Sequence, residues 1–186
     1  MQYLESKGVK VPFIFEKNSD FPIIFFRLVF RNCGRSYDEL AGVASMFARI
    51  LNEGASDKFF KDLEFRAINL EASSGFENLE LSFSCLKEHK NYAFKALATL
   101  LKNPRIEEKI LQRLKINALG ELASRQSDYD DVAKKLLNQT IFKEKAFQSP
   151  NEGDEKSIES MKLEHFKAFY KNFFHLNNAA IVLGEI

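Results

Sequence analysis

Between Val9 and Phe15 the chain alternates. Val9, Val11, Phe13 and Phe15 fall on one side of the period, and Lys10, Pro12 and Ile14 on the other. A period of two is that of a strand with one strongly apolar face. Pro12 has no N–H to offer a neighbour, which predicts an edge strand. Asn18-Ser19-Asp20 predicts a turn. From Ile23 to Phe30 the run is apolar except for Arg27, the pattern of a central strand buried on both faces. Asn32-Cys33-Gly34-Arg35-Ser36 breaks it.

The period then lengthens. Val43, Met46, Phe47, Ile50 and Leu51 recur at helical spacing, which predicts a helix over Asp38–Glu53, with Asp38 capping its start and Gly54 stopping it. A second, short helix is predicted over Ser56–Arg66, capped by Ser56 or Asp57. Ile68–Ser74 and Asn78–Leu86 read as a hairpin, because Leu79, Leu81, Phe83 and Cys85 alternate with polar residues beyond a Gly75-Phe76-Glu77-Asn78 turn. Three helices follow, over Glu88–Leu101, Ile106–Arg125 and Tyr129–Phe142. Pro104 stops the first, and Ser127 and Asp128 are cap candidates for the third. A polar loop over Lys143–Asp154 leads to a last helix, Leu163–Phe173, and a buried strand, Ala179–Leu183.

Strands, helices, hairpin, helix cluster, helix and strand in that order predict an α+β fold. The expected architecture is a mixed, largely antiparallel sheet of about five to six strands with helices packed on one face. No internal repeat or long linker interrupts the chain, so residues 1–186 are expected to form a single domain. Nineteen phenylalanines against no tryptophan supply core mass.

A net charge of +1 gives no overall field for nucleic acid or an anionic membrane. No apolar run reaches the ~18 residues of a membrane span. Cys33 and Cys85 form neither a CxxC pair nor a disulfide framework, and are expected as small buried residues. Met1-Gln2-Tyr3-Leu4-Glu5 lacks the basic-then-apolar order of a signal peptide. The expected compartment is cytoplasmic, or periplasmic or secreted where a leader has been removed.

One stretch carries more than fold. Arg35-Ser36-Tyr37-Asp38-Glu39 precedes Ala41-Gly42-Val43-Ala44-Ser45-Met46-Phe47-Ala48-Arg49-Ile50-Leu51-Asn52-Glu53-Gly54-Ala55-Ser56. This resembles the helix G-[LI]-A-H-x-x-E-H-x-x-x-x-G-[TS] of the insulinase/pitrilysin-type (inverzincin) zinc peptidases, in their bacterial processing-peptidase-like branch. The frame Gly-apolar-Ala and the closing Asn52-Glu53-Gly54-Ala55-Ser56 match. The resemblance continues through Ser82-Phe83-Ser84-Cys85-Leu86, Gly120-Glu121-Leu122, Ser127-Asp128-Tyr129-Asp130 and Leu183-Gly184. It implies an insulinase-like fold, with this chain as the first of two related domains in a subunit about twice as long.

In that family two histidines at i and i+4 grip one zinc from one side of a helix, and the glutamate between them takes a proton from the zinc-bound water. The matching positions here are Ser45, Ala48 and Arg49. Ser45 is a poor ligand, Ala48 cannot accept a proton, and the permanent charge of Arg49 opposes a dication. Glu121 matches the distant carboxylate ligand. The resemblance therefore implies a degenerate metal site at Ser45, Ala48, Arg49 and Glu121, no catalytic residue and no zinc cofactor. Arg49 and Glu121 either pair in the old metal cavity or stand apart as solvated helix charges.

The implied function is a catalytically inactive homologue of a zinc metalloendopeptidase. It would form part of a peptide-binding chamber or the non-catalytic partner of an active insulinase-family subunit. Its expected partners are that subunit or a second domain of the same chain, together with peptide substrates; a homodimer is open as well. A protein-binding scaffold unrelated to proteolysis is the alternative, and an active metallopeptidase through another site is a third. The first strand, as an edge near the site, is a candidate for pairing with extended peptide.

Other residues read more plainly. His89, His165 and His175 lack ligand partners at motif spacing. Glu107 and Glu108 suit the positive end of a helix. Asp128, Asp130 and Asp131 suit a helix start better than a calcium loop.

Overall fold

The computed structural model describes residues 2–18, 21–143, 146–148 and 150–185. Strand β1 (Gln2–Ser6) turns at Lys7-Gly8 into β2 (Val9–Lys17), and β3 (Ile23–Arg31) follows. Helices α1 (Val43–Leu51) and α2 (Phe59–Glu64) lead to the hairpin β4 (Asn69–Ser74) and β5 (Asn78–Leu86). Then come α3 (Lys90–Lys102), α4 (Glu108–Arg125), α5 (Tyr129–Ile141), α6 (Glu155–Ser160), α7 (Leu163–Phe173) and β6 (Ala179–Glu185). The strands form one six-stranded sheet in the order β1-β2-β6-β3-β5-β4. Only the β2–β6 pairing is parallel; the other four are antiparallel.

The expected α+β class and mixed sheet hold. Helices cover one face, on which Ile24, Phe26, Leu28 and Phe30 of β3 meet Leu79, Leu81 and Phe83 of β5. The phenylalanines make much of this core. Phe26, Phe83 and Phe94 form a triangle of rings with centroids 5.0–5.1 Å apart. Phe47 sits between Phe169 and Phe174, each at 5.1 Å. Cys33 and Cys85 are buried and unpaired, and burial pushes the Cys33 thiol up to about 11.

Several expectations are corrected. β2 is not an edge strand, because β1 pairs along its other side. Pro12 is tolerated there because the ladder to β6 begins only at Phe13. The apolar run of β3 is central, between β6 and β5, but buried on one face alone: Phe25 on the other face is 46% exposed. β6 is likewise only half-buried beyond Ala179.

Helix α1 starts at Val43 rather than Asp38, since residues 35–37 form a separate 3-10 turn. α2 is shorter than Ser56–Arg66 and has no side-chain cap, so neither Ser56 nor Asp57 caps it. α3 and α4 each begin two residues later than expected, and α5 ends one earlier. α6, just beyond the predicted polar loop, was not legible as a helix; Asp154 and Ser157 close a capping box at its start. Of the predicted turn at 18–20, Ser19 and Asp20 lie outside the described residues, as do Glu144, Lys145 and Ser149 of the predicted loop. Among the described residues no helix is long and apolar enough to cross a membrane.

Candidate functional site

Helix α1 packs against β4, α4 and α7. Every one of its residues is buried except Arg49, so this side chain is the only one through which the helix meets solvent. Its start is held by two unusual contacts. Gly42, at φ +91°, precedes the first turn, and a Cβ there would strike the Glu152 carbonyl. Asp38 reaches past it: Oδ2 accepts from the Gly42 N–H and Oδ1 from the Ala44 N–H, both at 3.0 Å. Asp38 therefore caps the helix from four residues upstream. Burial outweighs these bonds and raises the Asp38 carboxyl to about 6. At the far end Gly54, at φ +75°, stops the helix as expected, with its N–H on the Leu51 carbonyl at 3.0 Å.

The charge on α1 meets its opposite on α4. Arg49 Nη1 donates to Glu121 Oε1 at 2.9 Å, and Nη2 to Oε2 at 2.7 Å. This is the two-pronged geometry that a guanidinium and a carboxylate share. It raises the Arg49 pKa and holds the Glu121 carboxyl below its usual value, in each case mainly through that hydrogen bond. One turn on, Glu53 pairs with Arg113 of α4. The seam is thus laced twice with opposite polarity, and the later position on the α1 side meets the earlier one on α4, as an antiparallel run requires. Glu152 adds a more distant attraction to Arg49, and Arg125 bridges to Glu152 at 3.5 Å.

Ser45 and Ala48 lie on the same helix, 9% and 4% exposed. The residues present do not fit a catalytic zinc. Arg49 is a permanent cation, Ala48 has no donor atom, and Glu121 has both oxygens engaged by the guanidinium. Among the described residues no group of three or more His, Cys, Asp or Glu side chains converges.

The three histidines lie apart. His89 is beside Glu88 at 3.6 Å, and His165 Nδ1 accepts the Lys162 N–H at the start of α7 at 3.0 Å. Asp128 accepts from the Asp130 and Asp131 N–H groups at 3.0 and 3.3 Å, a helix cap as read from the sequence.

One expectation about peptide pairing is corrected. The edge strand beside α1 is β4, not the strand carrying Pro12, and the opposite edge is β1. Sequence reasoning also missed the seam partners Glu53, Arg113 and Glu152. Only tertiary placement, unreadable from local periodicity, could have found them: the antiparallel register of α1 and α4 for Glu53 and Arg113, and the path of the segment before α6 for Glu152.

This geometry agrees with what the chain resembles. Residues 29–155 match the family described as Insulinase (Peptidase family M16). A relative named a non-peptidase homolog, YmxG, from Helicobacter pylori is 33% identical over 189 residues, covering 99% of this chain and 44% of that protein. An uncharacterized zinc protease of Rickettsia bellii is 25% identical over 142 residues, covering 74% of this chain and 34% of that protein. Among solved structures, a peptidase M16 inactive domain from Pseudomonas fluorescens superimposes with a TM-score of 0.88 at 21% identity, covering 100% of this chain and 46% of that one. The chain spans less than half the length of these relatives. With the match running from β3 to the start of α6, through the helix that carries Ser45, Ala48 and Arg49, the chain belongs to the insulinase family of peptidases, M16.

Proposed function

We propose that this chain is a non-catalytic M16 domain that takes up no catalytic zinc. It serves as part of the wall of a peptide-binding chamber, together with a second related domain or an active family subunit. The observation that carries this reading is the two-pronged Arg49–Glu121 pair. Arg49 and Glu121 are the residues that the sequence resemblance matches to a metal ligand and to the distant carboxylate ligand, and the guanidinium engages both oxygens of that carboxylate. The name of the Helicobacter pylori relative, a non-peptidase homolog, supports it.

Metal analysis and peptidase assay of the purified chain test the first half. The expected result is sub-stoichiometric zinc and no chelator-sensitive cleavage of unstructured peptides. One zinc per chain together with such cleavage would overturn it. Affinity capture from the source cells tests the second half. An M16 chain carrying an intact HxxEH helix is expected among the captured proteins, and its consistent absence would count against the chamber role.

A further inference from the structure

An edge strand exposes one backbone N–H and one C=O at every second residue, and those groups are what an added strand pairs with. On β4 the phase is fixed by its hairpin. Gly75 N–H donates to the Asn78 carbonyl at 2.7 Å, so the alternation turns the backbone groups of Ser73 and Glu71 toward β5 and those of Ser74, Ala72 and Leu70 outward. The outward pair at Ala72 is already taken. Asn52, the residue just past α1, receives the Ala72 N–H on Oδ1 at 2.8 Å and gives its Nδ2–H to the Ala72 carbonyl at 2.9 Å. A single side-chain amide thus stands in for one peptide unit of an absent neighbouring strand. Two residues along, Asn151 Nδ2 donates to the Ser74 carbonyl at 3.4 Å and to its hydroxyl at 3.3 Å.

Asn52 is exposed, whereas Ala72 beneath it is 3% exposed. A core role therefore does not explain the asparagine: it faces solvent on one side and the strand on the other. We propose that Asn52 is a built-in latch on the β4 edge. It holds the backbone pair that an extended peptide would use, so a peptide adds to β4 only in competition with the Asn52 amide. The ligand class is extended peptide recognised by backbone pairing, with little demand on its sequence. The latch rests on the hydrogen-bond phase of β4 and stands whether or not the domain is catalytic.

The test is binding of a fluorescein-labelled, eight-residue peptide of alternating threonine and valine to the 186-residue chain. The same peptide N-methylated at alternate residues, which cannot complete the ladder, serves as its control. Opening the latch with Asn52→Ala is expected to tighten binding about ten-fold, the scale of one or two hydrogen bonds no longer contested. N-methylation should remove that gain. The isosteric Asn52→Asp keeps the acceptor for Ala72 N–H, turns a carboxylate on the Ala72 carbonyl and should show part of the gain.

Amide hydrogen exchange gives a second readout on each chain. The Ala72 N–H should be protected in the wild type, exchange faster in Asn52→Ala, and regain protection with peptide. Should Asn52→Ala not fold, Asn52→Asp and the wild type carry the test: saturating peptide should move the wild-type Asn52 side-chain amide resonances toward their solvated positions. Equal peptide affinity in all chains, a gain that survives N-methylation, or peptide binding with the Asn52 resonances unmoved would each overturn the latch.

Discussion

Arg49 on α1 and Glu121 on α4 are separated by 72 positions in the chain and joined by two parallel hydrogen bonds of 2.9 and 2.7 Å. The side chains are 26% and 47% exposed, so water screens much of their attraction. A double-mutant cycle with Arg49→Ala and Glu121→Gln is expected to give a coupling of about 1 kcal/mol, read by urea unfolding. The sign of its pH dependence follows from Glu121. Its carboxyl lies lower in the folded chain than the ordinary 4.5, so the contribution is complete above that value and disappears as pH falls through the folded one. The coupling should be present at pH 7 and weaken as pH falls below 4.5. A coupling unchanged by acid would mean that the contact is held by packing.

Restoring the family's ligand pattern should restore metal affinity if Glu121 stands at the distant ligand position. Ser45→His, Ala48→Glu and Arg49→His together place two imidazoles at i and i+4 and free Glu121 from its guanidinium. Calorimetric titration is expected to show one zinc bound with at least about 100-fold gain over the parent chain. The comparison variant, the triple change plus Glu121→Ala, should lose most of it. Equal affinity with and without Glu121 would separate this carboxylate from the site.

Asp38 should make stability fall as pH rises. Its carboxyl is raised from 3.8 to about 6 by burial, so the folded chain holds the proton more tightly than the unfolded one does. Folding therefore takes up a proton between those two values, and this group's contribution is lost as pH passes 6. Asp38→Asn keeps one acceptor for the capped N–H groups and cannot ionise. The stability of wild type minus that of Asp38→Asn should fall by about 2 kcal/mol between pH 4 and pH 7, measured as paired denaturation curves. Parallel pH profiles for the two chains would contradict this.

Phe47 is fully buried, with Phe169 and Phe174 at 5.1 Å, and binds α1 to α7. Phe47→Ala leaves a ring-sized cavity at that junction. A loss of about 3–5 kcal/mol is expected, enough to unfold many domains of this size. Phe65→Ala, at a ring 87% exposed, should cost less than about 0.5 kcal/mol in the same unfolding experiment.

Much of the fold was legible because the signals were local. The β4–β5 hairpin follows from alternation across Leu79–Cys85, and α7 was bounded correctly at Leu163–Phe173 by its helical period. β1 was missed because Gln2–Ser6 is exposed throughout and buries no face that would impose a period. Pro12 reads as an edge mark for the whole of β2, whereas a missing N–H matters only where a partner would receive it, and the ladder to β6 begins one residue later, at Phe13. α6 is six residues long, too short for a helical period to show, and its cap Asp154 reads as the end of a polar loop. At the candidate site, Ser45, Ala48 and Arg49, the positions that the resemblance matches to the family's metal helix, could be read from one helix, because i and i+4 spacing is itself local.

By itself the sequence determined most of the elements, the apolar side of α1 and β5, and the chemistry missing from Ser45, Ala48 and Arg49 of α1: no imidazole and no carboxylate. Tertiary structure decided what replaced it. That Arg49 meets Glu121 in a fork, and that Asn52 meets both polar atoms of Ala72, depends on how α1 lies across α4 and along the β4 edge. Hydrophobic periodicity tells each element which side to bury, but it is nearly indifferent to sliding one helix past another by a turn. Directional contacts, which fail within about an ångström of misplacement, select a single register among those that burial alone permits.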